Sequence, residues 1–311
     1  MSDQKENKPD RRDFIKAAGF AGLAIPVVSS IAVGCDDEDG DDCVDCGDND
    51  AGVDQNELTA LWNAQGYFVH ENVDVSRFEQ GEISAKINGV WSTFPNRKLS
   101  SGFIDWNFAA RLNVILNPMG TMCLDGPHSG ALATYGLTRG DSRFSLNCAF
   151  KGFGFVPTMD AIDECIDTVM SNWNVLMPDK LDILEEFYTN RDLWDYRLLD
   201  SIELYSTPNF CTHSFLNQME NPIATICWLA IPGSYEVRAI ARLIHPKDPD
   251  ISEEDFKRIR WVDMIHDFYH GGPEPDPQNP SRLAVLYYIV EEFDNSPMGN
   301  GLMGLRTVPP L

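Results

Sequence analysis

Apolar and polar positions change period several times along the chain, and each change predicts an element. Asp54-Gln55-Asn56-Glu57 is a capping-box pattern ahead of Leu58, Leu61 and Trp62, so a short helix is expected to run to Gln65 and stop at Gly66. The alternating segments 83–87 and 90–94 flank Asn88-Gly89. A two-residue hairpin turn needs positive φ at both positions, which Asn and Gly tolerate best, so a hairpin is predicted there. Further extended segments are expected over 109–116, 131–138 and 143–150, the last two joined by Arg139-Gly140-Asp141-Ser142. The first half therefore reads as antiparallel β.

Helical spacing takes over at 160–170, after Pro157, and at 179–188, after Pro178, each with an acid near its amino end, as the helix dipole favours. A strand over 198–205 and a helix over 210–220 follow. Next comes a second hairpin, 223–231 with 235–244, turned at Pro232-Gly233. Ser252, with Asp255 three residues on, opens the clearest helix, which ends at Gly271-Gly272. After a proline-rich loop over 273–280, the run 283–293 is apolar enough to predict a strand buried on both faces, and the closing Gly-, Met- and Pro-rich segment is expected to be a loop. The fold class this predicts is α+β, an antiparallel β-sheet or barrel with several flanking helices. It occupies 51–311, with a subdivision possible near 157.

The net charge of −24 is unevenly held. Residues 1–34 carry five basic against four acidic side chains, 35–50 carry nine acidic and none basic, and 51–311 carry 19 basic against 35 acidic. Such acidity excludes nucleic acid as the default partner, because phosphate binding needs a basic face. The uncharged run 17–34 is the one candidate for a membrane-crossing segment. It follows Arg11-Arg12-Asp13-Phe14-Ile15-Lys16, a stretch that resembles a twin-arginine (Tat) export signal with Arg11, Arg12 and Phe14 at the family's positions. Ala32-Val33-Gly34-Cys35 resembles a lipoprotein cleavage site, with Cys35 as the lipidated residue. Cleavage by the ordinary signal peptidase after Ala32 or Gly34 is the alternative. The resemblance implies a signal peptide over 1–34, an acidic tether over 35–50, and passage through the Tat translocase. It also implies an exported domain in the cell envelope or periplasm, held to the membrane through a lipid anchor. In the tether, Asp37, Asp39, Asp41 and Asp45 around Gly40 resemble a calcium-binding thrombospondin type 3 loop, the plainer reading being a solvated spacer. Cys43 and Cys46 suit a local disulfide in an oxidising envelope.

Two constellations carry candidate chemistry. At about 100° per residue, Asp263, His266 and His270 lie within about 60° of one another on one helical face. Two imidazoles four residues apart can share a transition metal, with the carboxylate as third ligand or as the acceptor that orients an imidazole. The plainer reading makes His270 a helix cap and His266 a core residue. The second runs from Thr212-His213-Ser214-Phe215-Leu216-Asn217 through Glu220-Asn221-Pro222 to the strand pair that follows, and with Lys151-Gly152-Phe153-Gly154-Phe155-Val156 it resembles the FMN-binding split-barrel family related to pyridoxamine phosphate oxidase. That resemblance implies that Thr212, His213 and Ser214 lie near an FMN phosphate, with Arg238 and Arg242 supplying charge; alternatively, the two arginines pair with carboxylates. The turn 126–130 can present His128 and Ser129, with no acid partner assignable. Cys123, Cys148, Cys165, Cys211 and Cys227 are an odd set, of which Cys165 and Cys227 are expected in the core. The expectation is an exported, membrane-anchored redox protein dependent on flavin or metal, the alternative being a non-enzymatic binding or structural lipoprotein. The small-molecule ligand is not specified by the sequence.

Overall fold

The computed structural model describes residues 61–116, 127–137, 139, 142–230, 233–297 and 304–310. The export signal, Cys35, the tether with Cys43 and Cys46, most of the capping-box helix and Cys123 lie outside these. Among the described residues no helix is long and apolar enough to cross a membrane.

The fold is α+β on antiparallel sheet. Strands β1 (Val73–Asp74), β2 (Glu82–Ile87) and β3 (Val90–Pro95) form a small sheet. Asn88 and Gly89 take φ of 48° and 80°, and Ile87 pairs with Val90, so the hairpin turns where expected. Helix α1 (Ser101–Leu116) comes next, where 109–116 reads as a strand. Its buried positions, Phe103, Ile104, Asn107, Phe108, Arg111 and Ile115, follow the helical period, which a window opening at 109 cuts in half. Ser100 starts it: its Oγ accepts from the Phe103 N–H at 3.1 Å, while its own N–H and hydroxyl donate to the fully buried Glu292 at 2.8 and 2.5 Å.

The larger sheet contains β4 (Ser129–Tyr135), β5 (Leu146–Gly152), β6 (Gly154–Pro157), β7 (Trp194–Glu203), β8 (Ile223–Ala230), β9 (Gly233–Ile244), β10 (Leu283–Asp294) and β11 (Leu305–Val308). Its order is β5-β4-β8-β9-β10-β7-β6, with β11 on β10. The terminal segment expected to be a loop therefore supplies a strand, pairing Val308 with Glu292, and the Thr307 hydroxyl donates to the Glu292 carboxylate at 2.6 Å. β10, between β7 and β9, is buried from Leu283 to Ile289, as its apolar run predicts. β4 pairs with β8, so one sheet spans position 157.

The two edge strands of this order, β5 and β6, are consecutive in the chain and separated by Phe153 alone. A single bent strand thus pairs with β4 through its first half and with β7 through its second, and the sheet curls shut on itself. Its interior is filled: the Phe153 ring lies 5.4 Å from both Trp228 and Tyr287, and Phe103 lies 5.2 Å from Trp228. Helices α2 (Ile162–Ser171), α3 (Met177–Thr189) and α5 (Glu253–His270) pack together with α1 outside the strands, α5 held where the Trp261 indole N–H donates to the Phe155 carbonyl at 3.0 Å. Helix α4 (His213–Glu220) packs on β4, β5 and β9. Ser252 and Gly271 cap α5 as its sequence predicts.

Closure leaves no room at the seam, because a Cβ on Gly154 would fall inside the Asp200 carboxylate. Gly154→Ala should therefore destabilise the domain by about 1–3 kcal/mol, the usual overpacking cost. Urea denaturation measures it; an unchanged midpoint would show that the seam is not tight.

Candidate functional site

The barrel is filled, and the cavity at which polar groups converge lies outside it, at the seam. A cavity of about 390 Å³ is bounded by α1, α3, α5, β7 and the β5–β6 junction. Its wall is mostly apolar, with Val114, Ile115, Phe153, Leu184, Val262 and Ile265, and its polar groups gather on one side: Arg111, His128, Asp200, His266 and His270.

Arg111 enters from the buried stripe of α1. Its Nε donates to Asn107 Oδ1 at 2.6 Å, its Nη1 to the Tyr188 hydroxyl at 3.1 Å, and its Nη2 to the carbonyls of Phe153 at 2.7 Å and Pro127 at 3.4 Å. The guanidinium also lies over the Phe155 and Tyr188 rings. Each of these hydrogen-bonding partners is neutral, so the charge is solvated by dipoles without being cancelled. The Phe153 N–H donates to the His128 carbonyl at 2.7 Å, fastening the turn that carries His128 to the seam.

Asp200 stands on β7 opposite Gly154. Burial pushes its carboxyl up to about 7, against the lowering influence of Arg111 and of the Gly154 N–H that bonds it. The Oδ2 atom has no hydrogen-bond partner. Burial, with Arg111 and His270 nearby, lowers His128 to about 4, and burial beside His266 lowers His270. Both imidazoles are therefore neutral at pH 7. His266 and His270 have ring centroids 4.8 Å apart, and His266 Nδ1 lies 3.1 Å from Asp267 Oδ1.

Of the expected metal set, His266 and His270 share one cavity wall, but Asp263 does not join them. Its carboxylate accepts from Arg282 at 2.9 Å and from the Ser281 N–H at 3.0 Å. Among the described residues no three His, Cys, Asp or Glu side chains are placed to hold a metal ion. His128, from a turn 138 residues before His266, faces the same cavity.

The residues expected around an FMN phosphate do not form a cradle. Thr212 caps α4, its hydroxyl accepting from the Phe215 N–H at 3.1 Å; His213 is the first residue of that helix, and the Ser214 hydroxyl accepts from Asn147 at 3.0 Å. Arg238 pairs with Glu236 and Glu291, and Arg242 with the buried Asp255 at 2.6 Å. No free cationic donor is left among them, and none of the five lines the cavity. The arginines follow the alternative, pairing with carboxylates.

Arg111 and Asp200 are the site residues that pattern reading passes over. Each has a weak signal, a charge at a position its element buries: Arg111 on the apolar stripe of α1, and Asp200 directly after Leu198-Leu199. The cysteines divide differently from expectation: Cys165 and Cys211 are buried, whereas Cys148 and Cys227 are exposed on the outer face of β5 and β8, and all four are free.

A carboxyl raised in the fold stabilises fully below its unfolded value and loses that contribution as pH rises through its folded one. The stability of Asp200→Asn relative to the unmodified protein is therefore expected to climb between about pH 4 and about pH 7, by up to about 1.4 kcal/mol per pH unit, and to level off above. Denaturant midpoints across this range measure it, and a constant gap would contradict the raised carboxyl.

No protein-family model matches the chain, and no curated protein does. Among solved structures it is similar to tagged HupZ from Group A Streptococcus, at 10% identity and a TM-score of 0.28, over 56% of this chain and 89% of that one. It is also similar to a pyridoxamine 5′-phosphate oxidase-related, FMN-binding protein from Nostoc punctiforme, at 13% identity and a TM-score of 0.33, over 65% and 87% of the two chains.

Proposed function

We propose that the chain is an exported envelope protein, anchored through Cys35, whose barrel domain binds a small organic anion with an apolar body in the seam cavity. The observation that carries this reading is Arg111, a buried guanidinium on the cavity wall whose hydrogen-bonding partners are all neutral. The one carboxyl beside it in the cavity, Asp200, is pushed up to about 7 by burial, so below that pH the guanidinium is short of a counterion and an entering anion supplies one. The volume, about 390 Å³, lies in the range of about 300–1,000 Å³ usual for small-molecule sites, and the apolar wall suits a hydrocarbon or aromatic body. FMN belongs to this chemical class as its redox-active member, and a flavin held in the seam would make the protein an oxidoreductase.

Octanoate and 1-octanol share a body and differ in charge. The acid is expected to bind the full chain more tightly than the alcohol by about tenfold to a hundredfold, the worth of one charge-assisted hydrogen bond. Calorimetric titration measures both, and Arg111→Met should erase the difference. Equal affinity for acid and alcohol in the unmodified protein would rule the reading out.

The anchor is tested separately. Cys35→Ala should move the mature chain from the membrane fraction to the soluble one, and unchanged fractionation would count against lipidation.

A further inference from the structure

Asp200 gives the cavity a second polar group whose role the barrel does not explain. It is 4% exposed, its carboxyl is met by the Gly154 N–H, and its Oδ2 has no partner. Leaving a buried polar atom unpaired costs about 1–3 kcal/mol. The neighbouring residues on β7, Leu198 and Leu199, are fully buried and apolar, so an apolar side chain would serve the fold at least as well. The unpaired oxygen belongs to a residue that lines the cavity Arg111 polarises.

An ionised carboxylate can only accept hydrogen bonds, and so can the anion that Arg111 attracts. Two acceptors facing each other in a buried cavity repel. A carboxyl that keeps its proton instead donates, and an O–H···O⁻ bond is short and strong. Resting on the anion reading above, we propose that Asp200 binds the ligand anion through its own proton, so that the cavity is a site for a monocarboxylate taken up together with one proton. The step balances simply: one proton moves from solvent to the ionised Asp200 carboxyl as one carboxylate enters, no covalent bond in the ligand is made or broken, and the ligand's charge is matched by Arg111.

The other groups facing Asp200 leave this proton identifiable. Arg111 comes from α1, His128 from the turn before β4, Tyr188 from α3, and His266, Tyr269 and His270 from α5. The Lys151–Glu203 ion pair, at 3.0 Å, lies on the adjacent strands β5 and β7. His128 and His270 are held neutral by burial, and burial pushes the Tyr269 phenol up, so none of the three changes charge just above neutrality.

Octanoate is titrated calorimetrically into the full chain from about pH 6 to about pH 9. Affinity is expected to be level below about pH 7 and to fall by about tenfold per pH unit above it. On the alkaline side, titration in two buffers of different ionisation enthalpy should count close to one proton taken up per octanoate. Asp200→Asn keeps a donor that does not titrate and should give a flat profile. If that variant does not fold, the two-buffer count on the unmodified protein decides alone. Binding with flat affinity and no proton uptake overturns this proposal and leaves the anion reading standing; no octanoate binding at any pH overturns both.

Discussion

A β-strand has two hydrogen-bonding edges, and the segment 146–157 has to serve both ends of one sheet. That single demand organises the rest of the domain. The strand meets β4 with its first half and β7 with its second, and it changes partner across Phe153. At the change of partner the backbone leaves the ladder, and its polar groups need other company: the N–H goes to His128 and the carbonyl to Arg111. The Phe153 ring turns inward among Trp228 and Tyr287, which closes the interior to any ligand. The cavity with converging polar groups is outside, at the seam under α1, α3 and α5. The site lies where it does because the barrel is closed and full.

Local chemistry was readable from the residues, and distant pairing was not. Asn88-Gly89 declares its turn because the two residues alone satisfy the φ requirement, and Ser252 and Gly271 mark the ends of α5 by the same kind of short-range logic. α1 was obscured because a window from 109 shows only half of a period that begins at Phe103. β11 was obscured because its pairing with β10 is a tertiary fact that a Gly- and Pro-rich segment does not advertise. The same division runs through the site. The i, i+4 placement of His266 and His270 is a property of any helix, so it survives, whereas Asp263 was lost to Arg282, a partner supplied by the next element. Arg238 and Arg242 were assigned by resemblance to a phosphate, but acids on β9, β10 and α5 hold them.

The sign of a protein's charge and the sign of its site need not agree. Residues 51–311 carry 35 acidic side chains against 19 basic ones, yet the seam presents a guanidinium hydrogen-bonded to neutral groups, imidazoles held uncharged and a carboxyl that burial favours in its protonated form. The acids are largely at the surface, where water screens them within about 10 Å at moderate salt. Arg111 sits in a low-dielectric pocket where its field is screened far less. An anion approaching the domain crosses a repulsive exterior to reach an attractive interior, an arrangement that favours ligands with enough apolar surface to be drawn in by burial as well as by charge.

The two charged residues of the cavity differ in how much the scaffold depends on them. Arg111 fastens Pro127 and Phe153 through their carbonyls, so the barrel would require it even in a descendant that had abandoned the ligand. Lysine, a point charge without the planar fork, would not replace it. Asp200 meets only the Gly154 N–H, and its second oxygen is left unpaired at a cost. In related chains, then, an arginine at the first position would report only a shared architecture. An aspartate kept at the second, against its own thermodynamic disadvantage, would be the mark of a ligand still in use.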